Sequence, residues 1–355
     1  MAARWRPRRR GERALSAALV GALMAGCTGT SAGGLDPAEP PVTETPTTRA
    51  SETPTTGSTL PPVPERLPPW VGATVPGGDA SEIHAWEEEI GHRFDLVRRF
   101  ARWDDVVAQS DLVDLLESGH RIHLSIRPVT QSGTVIPWRV LADSQPGDPR
   151  FGQLQAWVDL VIDLGPEVMV TINHEPETRE SAANGTAADY VALWRRFAEL
   201  VRERGGDDQV LVWTMTGGAF DDGRADEWYP GDDVVDVVGA DLYNWWTCQG
   251  TDRPWRPMSE LVAAPLAFAD AHDKPLAIPE FASADDPADP SRRADWMADA
   301  ADTLLGAEVA ERLLFVAWFD VTAPGGTWPD CVWDHDLTPE STRAFGELVT
   351  AFVEH

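Results

Sequence analysis

Between Pro68 and His355 short apolar runs alternate with longer stretches whose apolar residues recur every three or four positions. The runs are Trp70-Thr74, Leu96-Phe100, Ile122-Ile126, Val168-Ile172, Val210-Trp213, Val235-Ala240, Leu276-Ile278 and Leu313-Phe319. Runs of this length, separated by helical patterns, predict parallel βαβ units. One helix start is explicit. Thr186-Ala187-Ala188-Asp189 forms a variant capping box, which satisfies the free N–H groups of a first turn. Tyr190, Leu193, Trp194, Phe197 and Val201 follow at helical spacing, and Gly205-Gly206 ends the pattern. Residues Phe151 to Leu164 and Ser341 to Val353 read the same way. Eight such strands fit a closed (β/α)8 TIM barrel or a doubly wound open sheet. No Gly-rich phosphate loop follows the first run, and the span is close to the ~250 residues of one barrel, so the α/β class expected is a single barrel over 68–355.

The chain ahead of residue 68 is of another kind. Six arginines (Arg4, Arg6, Arg8, Arg9, Arg10 and Arg13) precede an uncharged apolar run from Ala14 to Met24. That order predicts a secretory signal peptide over 1–26, with a run too short for a mature transmembrane helix. Leu23-Met24-Ala25-Gly26-Cys27 resembles the lipobox of bacterial lipoproteins, which makes Cys27 the expected lipid anchor. Cleavage without lipidation is the other reading. Residues 27–67 are mostly Thr, Pro, Ser, Gly and Glu, which cannot bury enough surface to offset their ordering entropy, and predict a disordered, Pro-stiffened tether. The expected location is therefore exported, held to the outer face of the cell membrane by that anchor or secreted.

The net charge is −29, and loss of the six arginines and Glu12 with the signal peptide would carry it to −34. Such a surface repels nucleic acid and anionic lipid, and suits a neutral substrate. With Cys27 set aside, Cys248 and Cys331 remain in an oxidising setting and are expected to pair; two buried free thiols are the alternative.

The candidate chemistry lies in two glutamates. Val168 to Asn173 leads into His174-Glu175, and Pro275 to Ile278 leads into Pro279-Glu280. Carboxylates at the carboxyl ends of separate barrel strands stand where that fold places catalytic groups. A facing pair is what glycoside hydrolysis needs: in a retaining enzyme one carboxyl protonates the leaving oxygen, and the other attacks the anomeric carbon. Zinc-type Cys/His spacing, a Gly-x-Ser-x-Gly elbow and an EF-hand loop are all absent from the sequence, so no metal or cofactor is implied.

These motifs resemble the (β/α)8 retaining glycoside hydrolases of the endoglucanase/mannanase clan, and more closely glycoside hydrolase family 26, the β-mannanases. The resemblance runs from Val75-Pro76-Gly77-Gly78-Asp79 to Trp318-Phe319-Asp320. It includes His174 directly before Glu175 and the stretch Asp236 to Trp245. Cys331-Val332-Trp333, with Asp336 beyond, is similar to the end of the family's lipoprotein-like branch. The resemblance implies Glu175 as acid/base, Glu280 as nucleophile, Tyr243 positioning the nucleophile, and His174 bonding near it or the sugar 2-hydroxyl. It implies Trp318 as an aromatic platform under the sugar. Trp103, Trp245 and Trp246 are placed after strands to line the cleft, and Asp241 is a further acid able to bond a hydroxyl, as are Asp104, Asp105 and Asp320. The implied partner is a β-linked polysaccharide or oligosaccharide met by a monomer. Pro176 to Glu180 and Pro279 depart from the family pattern and leave mannan, mixed-linkage glucan, cellulose and xylan open as substrates. A surface glycan-binding protein without turnover is the rival from outside the enzymes.

Overall fold

Eight parallel strands supply the frame of the computed structural model: β1 (Trp70–Thr74), β2 (Leu96–Arg102), β3 (Arg121–Arg127), β4 (Val168–Ile172), β5 (Val212–Thr216), β6 (Val237–Asn244), β7 (Leu276–Ser283) and β8 (Leu313–Phe319). The structure describes residues 67–74, 80–105, 109–246, 248, 253–321 and 331–355. The expected signal peptide, Cys27, the tether up to residue 66 and the Val75–Asp79 motif lie outside them.

The sheet order is β4-β3-β2-β1-β8-β7-β6-β5. Every pairing is parallel, and the two end strands meet through the bridge Val170↔Leu211. The result is a nearly closed (β/α)8 barrel. Between the strands run α1 (Ala80–Ile90), α2 (Gln109–Glu117), α3 (Trp138–Ala142), α4 (Pro149–Leu164), α5 (Ala187–Glu203), α6 (Gly217–Asp221) and α7 (Ala225–Trp228). The second half adds α8 (Met258–Ala271), α9 (Ser291–Leu305), α10 (Ala307–Ala310) and α11 (Pro339–Glu354). The capping box closes at Thr186, with both reciprocal bonds to Asp189 made. Among the described residues no helix is long and apolar enough to cross a membrane.

Two apolar layers follow from strand alternation. Side chains facing the helices, such as Ile122, Leu124, Ile126 and Trp318, join the large shell between barrel and helices. Trp70, Leu96, Met169, Val212, Val237, Ala277 and Phe315 plug the barrel floor. Above that plug the inward positions turn polar. On β3 they are His123, Ser125 and Arg127, which with Arg121, level with the plug and over the Trp70 ring, alternate strictly with the three apolar residues that face outward.

Strands β6 and β7 run further than their apolar cores suggest. β6 continues through Asp241 and Tyr243, and β7 through Glu280 to Ser283. A register shift against β7 between Gly239 and Asp241 brings Asp241 opposite Glu280, and β7 shifts against β8 between Ile278 and Phe281. Gly239 permits the close approach, since a Cβ there would lie 2.6 Å from Thr214 Oγ1. β5 begins two residues later than its apolar run and extends to Thr216.

Candidate active site

The chain leaves β4 through two left-handed residues, Asn173 (φ 53°) and Glu175 (φ 46°). Asparagine tolerates that conformation; a glutamate held there is strained by the order of 1 kcal/mol and needs outside support. The support is visible. Glu175 N donates to Thr214 O on β5 at 3.0 Å, while Thr178 N and Oγ1 both donate to Glu175 O. Asn173 accepts from Trp138 Nε1 at 3.2 Å and donates to His174 O at 2.9 Å. The acid is thus fixed at the barrel mouth by contacts that span three elements.

Carboxylate oxygens of Glu175, Asp241 and Glu280 lie within 4.8 Å of one another. The two glutamates are differently served. Glu280 Oε1 accepts from Arg98 Nη2 at 2.8 Å, and Glu280 Oε2 accepts from Tyr243 Oη at 2.6 Å. Bonds from a cation and a phenol stabilise a charged carboxylate. Among the described residues Glu175 has no such donors; withdrawal from water and the nearby charge of Glu280, then that of Glu177, hold its proton well above the usual carboxylate range. Asp241, 3 % exposed, is pushed the same way by burial and by Glu280. One charged and one protonated carboxyl across a short gap is the division of labour that acid-assisted nucleophilic displacement requires.

His174 is half-buried, its Nδ1 2.7 Å from Ser125 Oγ and its ring 5.2 Å from Phe100. Burial, then the charges of Arg98 and Arg127, lower its pKa well below the ordinary histidine value, so the ring is neutral. Tyr243 lies inside β6 rather than beyond it, and burial, then the charge of Glu280, keep its phenol protonated as the donor. Trp245 packs on Tyr243 at 5.2 Å and on Trp333 at 5.3 Å. Cys248 and Cys331 are joined, tying the segment after Trp246 to the one that carries Trp333.

Other expected positions are not brought to the carboxylates. Trp318 is 0 % exposed, packed between Phe281, Trp296 and Phe345, with Nε1 donating to Trp333 O at 3.1 Å. Strand parity is the reason: Phe315, Ala317 and Phe319 take the inward positions of β8, so Trp318 points at the helices and cannot be a platform under a sugar. Phe319 faces inward instead, 5.9 Å from Tyr243 and 6.4 Å from Phe100. Trp103 is 3 % exposed, its Nε1 bonded to Gln153 and its carbonyl to Trp157; it stabilises the β2 exit rather than lining a cleft. Trp246 is half-buried and covered by Arg292, which also stacks on Trp255. Asp104, Asp105 and Asp320 accept from the backbone N–H groups of Gln131, Arg102 and His335 and so brace loops.

Arg98, His123, Phe100 and Phe319 were not singled out by sequence, yet all stand at or beneath the carboxylates. Arg98 lies between Leu96 and Phe100 on the inward face of β2; a charge at that parity, directly after the buried Leu96-Val97 pair, was the available signal.

Comparison with known proteins agrees with this geometry. Residues 180–264 match the family model described as glycosyl hydrolase family 26. The likeness is to glycosyl hydrolase family 26. Among curated proteins, endoglucanase H of Acetivibrio thermocellus is 23 % identical over 297 residues, covering 79 % of this chain. The chain spans 30 % of that relative's length. Solved family 26 structures share the fold. The catalytic domain of an endo-β-1,4-mannanase from Bacillus sp. JAMB-750 superposes with a TM-score of 0.56 at 15 % identity, over 79 % of this chain and 86 % of that one. A β-mannanase from Bacteroides ovatus gives 0.55 at 18 % identity, over 79 % and 87 %.

Proposed function

We propose that this protein is a retaining endo-β-glycanase, acting on β-1,4-mannan or a related neutral β-glycan. The observation that carries the reading is the unequal carboxyl pair, with oxygens within 4.8 Å of each other. Retaining enzymes place their carboxyls about 5–5.5 Å apart, whereas an inverting enzyme needs roughly 6.5–9.5 Å to admit water between them. Glu175, held protonated, donates to the leaving glycosidic oxygen. Glu280, aligned by Arg98 and Tyr243, attacks the anomeric carbon to form a glycosyl ester. Glu175, now a carboxylate, takes a proton from the water that hydrolyses that ester. His174, neutral beside the acid, is placed to bond a sugar hydroxyl. No step calls on a cofactor.

Export is part of the same proposal. The basic and apolar segments of residues 1–26 and the lipobox around Cys27 support an anchored protein whose monomeric barrel reaches out on its tether. An extracytoplasmic site also suits the joined cysteines.

The test is incubation with mannan, glucomannan, lichenan, xylan and cellulose, with mass analysis of products and NMR of the newly formed anomeric centre. Internal cleavage of mannan or glucomannan with β-configured first products is expected. Binding of these glycans with no product at long times would point instead to a glycan-binding protein.

A further inference from the structure

Beneath the carboxylates the barrel holds a buried polar chain whose hydrogen positions are all determined. A guanidinium can only donate, so His123 Nδ1, 2.8 Å from Arg98 Nη1, must accept. The ring proton then sits on Nε2, 2.8 Å from Thr171 Oγ1. Thr171 in turn donates to Val212 O at 2.5 Å. The chain crosses β5, β4, β3 and β2, and its last donor, Arg98 Nη2, reaches Glu280 Oε1 on β7 at 2.8 Å. Arg98 and His123 are both shut off from solvent.

Arg98 has a choice of acceptors. Asp241 Oδ2 lies 3.9 Å from the same Nη2, and among the described residues neither oxygen of Asp241 has a hydrogen-bond partner. A planar guanidinium pinned at one Nη has its plane and the aim of the other fixed. We propose that His123 is a positioning residue for the nucleophile: its unprotonated Nδ1 pins Arg98 so that Nη2 serves Glu280 rather than Asp241. The role rests on the reading of Glu280 as nucleophile. The groups facing His123 keep it an acceptor. They are Arg98 on β2, Thr171 on β4 with His174 beyond its end, and the Phe315 ring 5.2 Å away on β8. Burial, then Arg98 and His174, lower its pKa well below the ordinary histidine value. On its far side Arg98 meets only Glu280, Asp241 and the Phe100 ring among these contacts.

Two substitutions of similar size separate positioning from bulk. In His123→Asn the side-chain oxygen falls near the place of Nδ1 and still accepts from Arg98. In His123→Gln the amide reaches the place of Nε2 and serves Thr171, leaving Arg98 unpinned. The Asn variant is expected to keep kcat/KM within about threefold of the parent. The Gln variant is expected to lose at least about tenfold in kcat, with KM nearly unchanged, since Arg98 acts through the reacting carboxylate. Equal losses in both variants, or none in either, would overturn the proposal. Nitrogen-15 NMR of His123 in the parent protein is independent of turnover. A neutral ring protonated at Nε2 is expected across neutral pH, and a proton on Nδ1, or a charged ring, would refute the role even if both variants failed to fold. A parent inactive on every glycan would sink the hydrolase reading alone, leaving the tautomer to decide the chain of bonds.

Discussion

Adjacent residues on β8 should behave as opposites when each is cut to alanine. Trp318→Ala removes an indole that is fully enclosed by Phe281, Trp296 and Phe345, and deletes its bond to Trp333 O. Large-to-small changes of this kind cost about 3–5 kcal/mol. The abandoned carbonyl adds little, because Arg293 Nη2 still donates to it at 2.9 Å. For a domain of this size the thermal midpoint should fall on the order of 10 °C. Phe319→Ala removes a half-buried ring that faces Phe100 and Tyr243 above the nucleophile, so its stability cost should be well under half of that. If a pyranose presents its apolar face to Phe319, the lost contact is worth about 1.5–3 kcal/mol. That corresponds to about ten- to a hundredfold in kcat/KM at 1.4 kcal/mol per decade. Initial rates on mannan or glucomannan at 10 °C, where both variants remain folded, are compared with midpoints from circular dichroism. Trp318→Ala should be unstable yet near normal in specific activity, and Phe319→Ala the reverse. Normal turnover in Phe319→Ala together with collapsed turnover in folded Trp318→Ala would refute the parity assignment.

Three further outcomes follow from the same geometry. Glu175→Gln should lower turnover of polysaccharide by about 10²–10⁴-fold but spare the first step on an aryl glycoside whose leaving group needs no proton, as seen in a rapid burst of the phenol. Because Glu175 works protonated and its proton is held above the ordinary carboxylate range by burial, Glu280 and Glu177, kcat/KM should fall on the alkaline side as pH rises through that raised value. Glu177→Gln removes one of the raising charges, so the falling limb should move to lower pH, and an upward move would contradict the assignment. Replacing Cys248 and Cys331 by serine opens a loop of 83 residues, for which chain entropy predicts a loss of about 4–5 kcal/mol, read as a lower midpoint in thermal unfolding; a loss under about 1 kcal/mol would count against the link as a structural tie.

What the sequence showed and what it hid divide along strand parity. Trp70–Thr74, Val168–Ile172 and Leu313–Phe319 are buried on both faces, read as unbroken apolar runs, and were legible to the residue. The box at Thr186 was legible because its two bonds depend on local spacing alone. β6 and β7 were cut short because their inward positions near the mouth carry Asp241, Tyr243 and Glu280, so the apolar signal stops where the chemistry starts. The glutamates were found through their place after such runs. The groups that tell one glutamate from the other were not, because Arg98 and His123 are remote in sequence and matter only once the sheet curls. β3 nonetheless held a clue in Arg121-Ile122-His123-Leu124-Ser125-Ile126-Arg127. Alternation of that kind reads as a strand with one wet face, yet helices cover the outside of a barrel, so its polar face can only point in. A strictly alternating strand in a barrel whose outside is covered by helices therefore marks a wall where the site's polar support is built.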